Sequence, residues 1–431
     1  MTAVSTDILA EVISFAAPTS SITQNEALTS SYWGDNTPSN HMLLAFTNTG
    51  TSAQIATDMR NSIGWATDTV DHSIGLGAFD GVPTTYTARR HSDTHCAAAI
   101  YGSKTTYERA AQSSYSSTAV GHTWSESAID GAAYGSLVLG GSGVHEVKIQ
   151  TIETPTSTGD ISYIDLGFTP DLLICLYTMT SNSLEDTSRD AVSAMGFSDG
   201  TTDAVSVISS RGKLSSSSDT AGVLCTDFIR MYDLDTKTTL NAATVKSFDY
   251  DGYTLNFSTV DSTARKVTII AIKGPRVKVA FSTQPTSNSA NDVEAGFTPK
   301  AGICISAARV SSQAVTSGAK FMVGAWDENN NNIVGGWLDQ HGVTTSNCDR
   351  YVSDAHAIRY YNHSRVVTGS ASVSGTGTGI RETWADVDGL EREHVWLLLG
   401  DAPSAPTKRA EPDRLQLLLR LQRTMEIELF R

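Results

Sequence analysis

The sequence predicts an all-β protein: three tandem β-sandwich or jelly-roll-like modules followed by a C-terminal helical or extended arm. Three observations carry that prediction. A set of short marks recurs in one order, with the tripeptide PTS at Pro18–Ser20, Pro155–Ser157 and Pro285–Ser287. The apolar runs between marks have strand length and either alternate or stay apolar throughout. The composition is rich in Thr, Ser, Gly, Ala and Val, and only 18% of the 431 residues are charged. That mix favours short strands and turns over long surface helices.

A three-letter match in a Ser/Thr-rich chain is weak alone, so its surroundings matter. Before each PTS lies an alternating run: EVISFAA, VKIQTIET and VKVAFSTQ. After each comes a Thr-Pro pair, Thr37–Pro38, Thr169–Pro170 and Thr298–Pro299, the last two within GFTP. Each pair leads into an apolar run: HMLLAF, DLLICLY or AGICIS. Proline is tolerated at the start of a strand but not inside a central one, so Thr-Pro reads as a turn that launches a core strand. The runs DLLICLY and KVTIIAIKG are nearly continuous in apolar residues and are expected to be covered on both faces.

A third mark is Gly-x-x-Asp at Gly77/Asp80, Gly196/Asp199 and Gly324/Asp327. It reads as a strand ending in a turn whose Asp accepts from nearby backbone N–H groups. Ser-Asp-x-His follows in two copies, Ser92–His95 and Ser353–His356; the second copy has Thr226–Asp227 there. Trp124, Phe257 and Trp384 precede the closing strands YGSLVLGG, KVTIIAIKG and EHVWLLLGD, which end near Gly140, Gly274 and Gly400. The units so defined are 1–142, with an insertion around 30–36, then 143–274 and 275–401. Six to nine strands are expected in each, with a short helix around Glu108–Gln112. Tight junctions, such as Ile272–Pro275 running into Val277, predict units packed on one another rather than strung on linkers. Residues 402–431 break the pattern: a Pro/Ala/Ser linker leads to DRLQLLLRLQRTMEIELFR, an amphipathic arm that docks on its own body or on a neighbour.

The totals exclude several function classes. A formal net charge of −15 argues against nucleic acid, which requires a cationic face, and against an anionic membrane surface. No stretch approaches a membrane-spanning length, so no membrane insertion is expected. The N-terminus lacks the basic region of a signal peptide. Five cysteines, Cys96, Cys175, Cys225, Cys304 and Cys348, have no CxxC pair and an odd count, which argues against a disulfide scaffold. Cys175 and Cys304 fall at equivalent places in two copies and read as buried small hydrophobes.

The sharpest cluster of chemical groups is His91, Asp93 and His95, which on one strand would share a face and could bind zinc or iron. The third unit keeps only Asp354 and His356 of this set and the second only Asp227, so turn polarity is the preferred reading. GGSG at Gly140–Gly143 lacks the Lys-Ser/Thr of a phosphate loop and reads as a hinge. DENNNN at Asp327–Asn332 reads as an exposed loop without the alternating pattern of a dedicated calcium site. No catalytic, cofactor-binding or metal-ligating residue is therefore nominated, and no enzyme is expected. Trp124 and Trp384 are core candidates. Trp33 and Trp337 are candidates for exposed contacts.

PTS…GFTPDLLICLY, the central turn, and SFDYDGYTLNFSTVDSTARKVTIIAIKG together resemble repeat modules of structural proteins of tailed bacteriophages. In these a Gly-Phe-x-Pro turn precedes an apolar strand, and a Phe-Asp-x-Asp-Gly-Phe-Thr-Leu-like hairpin precedes the last one. Here the hairpin is Phe248–Leu255, with Tyr253 in the second aromatic place. The second unit matches in full, and the third has GTGTGIRETW in place of the hairpin. The first unit keeps only Thr37–Pro38, and the tail lies outside the resemblance. The resemblance implies a virion component of the tail, collar or capsid surface, assembled in the host cytoplasm, with other virion proteins as partners. A homo-oligomer in a symmetric assembly is the expected state. The alternative is a tail protein that binds a receptor or glycan at the host surface.

Overall fold

The computed structural model describes residues 7–16, 23–27, 42–49, 55–67, 69–100, 107–115, 119–126, 132–181, 190–212, 214–310 and 313–403. Every regular element among them is a strand. The first eleven are β1 (Leu9–Ala16), β2 (Thr23–Ala27), β3 (Met42–Thr49), β4 (Ile55–Thr57), β5 (Met59–Ala66), β6 (Asp71–Ala78), β7 (Thr87–Ser92), β8 (Ala97–Ile100), β9 (Tyr107–Tyr115), β10 (Ala119–Glu126) and β11 (Ala132–Gly140). Ten follow: β12 (Glu146–Glu153), β13 (Gly159–Tyr163), β14 (Leu172–Tyr177), β15 (Asp190–Ser198), β16 (Asp203–Arg211), β17 (Thr220–Cys225), β18 (Ile229–Tyr232), β19 (Thr239–Asp249), β20 (Gly252–Thr259) and β21 (Lys266–Lys273). The last eleven are β22 (Arg276–Thr283), β23 (Ala290–Glu294), β24 (Pro299–Arg309), β25 (Thr316–Ser317), β26 (Ala319–Asp327), β27 (Asn332–Asp339), β28 (Cys348–Ser353), β29 (Ile358–Tyr361), β30 (Val367–Gly375), β31 (Gly379–Ala385) and β32 (Glu393–Gly400).

These strands form six antiparallel sheets with one topology used three times. The large sheets run β1-β11-β3-β5-β6-β7, β12-β21-β14-β15-β16-β17 and β22-β32-β24-β26-β27-β28. The small sheets run β2-β10-β9-β8, β13-β20-β19-β18 and β23-β31-β30-β29. Two large sheets are extended by a strand from elsewhere: β25 joins the edge at β17, and β4 joins the edge at β28. For brevity we call the three stretches of chain that supply these sheet pairs the first, second and third units.

Side chains alternate faces along a strand, so a continuously apolar strand must be covered on both. That is the situation in β14. Leu173, Cys175 and Tyr177 face the small sheet of the second unit, in a core that includes Ile229, Tyr253 and Phe257. Leu172, Ile174 and Leu176 face the other way, into a second core shared by all three units. The third unit repeats the arrangement, with Cys304, Trp396 and Leu398 inside and Ile303, Ile305, Leu397 and Leu399 in the shared core. Ile63, Ile74, Leu137 and Leu139 bring the first unit into it. The three large sheets therefore close around a common axis, each by its outer face.

The marks read from the sequence have definite jobs. In GFTP, Gly167 and Gly296 take left-handed φ of 88° and 79°. Thr169 Oγ1 donates to the Tyr250 carbonyl and Thr298 Oγ1 to that of Gly377, so each fastens its unit's last hairpin. Gly252 begins one strand of that hairpin, where a Cβ would lie 1.9 Å from the Tyr163 carbonyl; Gly379 has the same relation to Val293 at 2.1 Å. The third unit thus keeps the hairpin with a different sequence. Pro299 opens β24, and all five cysteines are free and buried.

Some expectations fail. Residues Tyr107–Tyr115 form strand β9, not a helix around Glu108–Gln112; pairing on both sides with β8 and β10 overrides the helix propensity of ERAAQ. Among the described residues the units hold ten or eleven strands rather than six to nine. Strands of two or three residues, such as β25 and β4, exist only because another unit supplies their partner, and no local periodicity announces that. The 30–36 insertion with Trp33, and the arm from 404 onward, lie outside the described residues.

Candidate functional site

The seams between units carry a connected set of polar contacts. The loops that follow β6, β16 and β27 meet at the axis and trade hydrogen bonds in a cycle. Thr85 N donates to the Leu214 carbonyl at 3.0 Å, and Thr85 Oγ1 accepts from Leu214 N at 3.0 Å. Ser218 N donates to Val343 O at 2.8 Å, and its hydroxyl accepts from Val343 N at 3.2 Å. Ser346 N donates to Val82 O at 2.9 Å, and its hydroxyl accepts from Val82 N at 3.1 Å. First reaches second, second reaches third, third reaches first. Each hydroxyl residue satisfies both backbone groups of an apolar residue in the next unit, at about 0.5–1.5 kcal/mol net per bond. Sequence reasoning missed this ring. Its trace is Gly-Val-x-Thr-Thr at 81–85 and Gly-Val-Thr-Thr-Ser at 342–346, which in a Thr/Ser-rich chain does not stand out.

Next to the ring, equivalent positions touch. The registers β6–β7, β16–β17 and β27–β28 make Ala78, Ser210 and Asp339 counterparts. Ser210 Oγ donates to Asp339 Oδ2 at 2.5 Å. Only groups close to the axis meet their own counterparts. Burial drives the Asp339 carboxyl up to about 7, against the Ser210 bond and with help from Asp80 and Asp349. Arg365 answers those two acids, at 2.9 Å from Asp349 and 3.5 Å from Asp80.

The Gly-x-x-Asp mark acts at the seams as well. Asp199 Oδ1 accepts from Thr201 N and Thr202 N, the expected turn bonds, while Oδ2 accepts from Val279 N of the third unit at 2.9 Å. Asp327 repeats this: Oδ1 accepts from Asn329 N and Asn331 N, and Oδ2 from Val12 N of the first unit at 2.8 Å. The assignment of Gly77/Asp80 to this set is corrected by strand register. Ala66, Ser198 and Trp326 are counterparts, so the first unit's version is Gly64 to Thr67. Threonine has one side-chain oxygen, and Thr67 spends it on Val70 N at 3.1 Å. Asp80 lies one strand later and accepts from Cys348 N at 3.1 Å.

With threonine there, the seam between first and second units is held differently. His91 Nε2 lies 2.8 Å from Thr268 Oγ1, and His72 Nδ1 lies 3.4 Å from both Thr268 Oγ1 and Thr151 Oγ1. The two imidazole rings are 6.4 Å apart. Burial pushes both pKa values down, His91 to about 4, helped by the His72 charge and opposed by Asp93. These are neutral seam histidines. The supposed trio of His91, Asp93 and His95 does not converge, because β7 ends at Ser92 and His95 Nδ1 turns to Ser92 Oγ and Thr94 Oγ1 at 3.1 and 2.9 Å. Among the described residues no group of three or more His, Cys, Asp or Glu side chains could hold a metal ion.

A buried ion cluster sits inside the third unit. Glu382 accepts from Trp396 Nε1 at 2.7 Å and Trp384 Nε1 at 3.1 Å, and lies 2.6 Å from His394 Nε2. Burial works to raise its pKa, but His394 and the three bonds outweigh it and hold the carboxylate below its ordinary value. Glu382 and His394 have no exposed surface. Strand register puts Leu255, Val267 and Ile269 of the second unit at the places of Glu382, His394 and Trp396. The cluster therefore fills core space that apolar groups fill elsewhere.

Of the aromatic contacts expected at unit ends, Trp337 is 2% exposed and stacks on Phe321 at 4.7 Å, so that expectation is wrong. It sits on the fully buried strand β27, beneath the seam. Trp124 and Trp384 are buried as expected. Among the described residues the aromatics out in solvent are Tyr250, at the tip of the β19–β20 hairpin, at 92% exposure, and Tyr86 at 49%. No family model and no curated protein matches the chain.

Proposed function

We propose that the chain is a structural component of a tailed-phage virion, a tail, collar or capsid-surface protein that works by protein–protein contacts and not by catalysis. The observation that carries this reading is the cyclic exchange Thr85–Leu214, Ser218–Val343, Ser346–Val82. It makes one chain behave as a trimer fused end to end, a shape suited to a threefold or sixfold place in a symmetric particle. On this reading the sheet pairs are β-sandwich modules spanning 1–142, 143–274 and 275–401. Their shared core serves rigidity, and other virion proteins or further copies of the chain are the partners. The resemblance of PTS…GFTPDLLICLY and the Phe248–Leu255 hairpin to phage repeat modules supports the same assignment.

The test is incorporation into particles. Deleting residues 402–431 removes the amphipathic arm and leaves the ring bonds intact. The variant is expected to stay folded, with an unchanged thermal midpoint, and to be lost from purified particles. Full incorporation of the truncated protein would remove the arm's anchoring role, and absence of the intact protein from particles would remove the virion reading.

A further inference from the structure

One end of the molecule, where β14 and β24 begin and β21 and β32 finish, carries an apolar platform on the second unit. Ile164 is 62% exposed there and Tyr250 92%. Both ride on a fixed turn. Leu166 N donates to Asp251 O at 3.2 Å, Gly167 N to Asp251 Oδ1 at 2.5 Å and Thr169 Oγ1 to the Tyr250 carbonyl at 3.2 Å. Lys148 Nζ donates to the carbonyl of Asp165, which sits at φ 72°. The fold itself does not call for apolar residues at these places. Gly252 and Gly379 lie alike against the Tyr163 and Val293 carbonyls, which makes Glu294 and Gly377 the third unit's counterparts of Ile164 and Tyr250. Neither Ile164 nor Tyr250 belongs to a core cluster.

The surroundings are acidic. Asp165, Asp171 and Asp251 flank the platform, and Glu294, Glu328 and Asp401 stand at the same end of the third unit. Lys273 and Lys300 are there too, but each is paired, to Glu146 and Glu328. Of the stretches that join the described strands at this end, 28–41 and 116–118 contain no Lys or Arg in their sequence. The described chain also leaves the body here. Gly400 lies opposite Arg276, Ile8 N donates to Asp401 Oδ1 at 2.8 Å, and Ala402 is buried.

We infer that residues 404–431 of the same chain cover this platform, with their leucines on Ile164 and Tyr250 and their Lys and Arg facing the carboxylates around it. Charge selects the occupant: the segment holds six Lys or Arg and four Asp or Glu, net +2, in a chain of net −15. Its apolar residues, Leu415, Leu417, Leu418, Leu419, Leu421 and Met425, answer the two exposed side chains. Length allows it. Residues 404–414 extend to about 36 Å, and the path Gly400–Arg276–Gly274–Asp171–Thr169–Tyr250 is no longer than roughly 30 Å. A tether of this kind holds the segment at roughly millimolar effective concentration, so modest intrinsic affinity suffices. Docking covers surface outside the cores, and releasing the segment frees it for a neighbour without loosening the fold. The inference concerns the isolated chain and stands whether or not that chain is a virion protein.

The experiment compares hydrogen exchange in the full chain and in a chain ending at Pro403. Removing the segment is expected to speed exchange at 164–166 and 249–252 by about threefold or more, with none at 233–238 on the opposite end. A synthetic peptide of residues 404–431, added to the shortened chain at about 5 mM, should restore the protection. In a chain carrying Ile164→Ser and Tyr250→Ser, both exposed positions, the difference between full and shortened forms should vanish. Equal exchange in the full and shortened chains overturns the inference. So does a difference that survives both substitutions. Protection that fades as the full chain is diluted would place the segment on a second copy, which also overturns it.

Discussion

Ser210 and Asp339 hold equivalent places in two units, and the hydroxyl of one donates to the carboxylate of the other. The contact is the residue-scale signature of the axis. It also leaves Asp339 Oδ1 buried without a partner. The folded-state pKa, about 7, stands above the unfolded value of about 3.9. The folded protein therefore binds this proton more tightly. The carboxyl costs nothing below about pH 4, and stability is lost as pH rises from there through 7, by on the order of 4 kcal/mol. Asp339→Asn removes the titration. Urea unfolding of both proteins at pH 5 and pH 8 should show the variant gaining on the wild type as pH rises. An equal difference at the two values would mean that Asp339 is ionised and satisfied in the fold.

At this scale the sequence was legible in part. The turn role of Asp199 and Asp327 follows from residue type and spacing. Their second bond, to the next unit's first strand, does not, because no local pattern says what lies across a seam. The error at Asp80 has the same origin. The Gly77/Asp80 spacing lies one strand later than its apparent counterparts, and only register shows that Thr67 fills the place. Glu382 reads as a surface acid in an alternating segment, yet Trp384, Trp396 and His394 converge on it from two sheets.

Among the elements, β4 and β25 are the least expected. Each is too short to be stable alone and exists as an addition to another unit's edge strand, a pairing that also covers an otherwise open edge. Each is gripped by an arginine. Arg309 donates to the carbonyls of Thr316, Ser317 and Gly318, and Arg350 to those of Thr57 and Asp58. Arg309→Met keeps the apolar stem and removes the donors. Hydrogen exchange should then lose protection at 316–318 and along β17, by about tenfold or more if the bonds contribute 1.5 kcal/mol or more in all. Protection in β12 and β21 should stay as it was. Unchanged exchange along β17 would show that backbone pairing alone holds the added strand. The long strands, by contrast, were plain in the sequence. DLLICLY, KVTIIAIKG and EHVWLLLGD are apolar on both faces because each lies between two cores.

For the molecule as a whole, the repeat was readable and the closure was not. Tight junctions implied contact between units, and the continuous strands implied a second covered face. Neither says that the cover is the other two units arranged in a cycle. That follows from Thr85, Ser218 and Ser346, three hydroxyl residues in loops that composition hides. Closure also explains why one cluster gathers Ile63, Ile174 and Ile303 from three units, at separations no linear array would allow.

Small-angle X-ray scattering of the full chain tests closure most directly. A compact body of this length has a radius of gyration of about 22 Å, and a ring should give one maximum in its pair-distance distribution. Three units of this size joined in a line would exceed about 30 Å and show a second maximum at the unit spacing. The first result is what three closed seams predict. The second would contradict them.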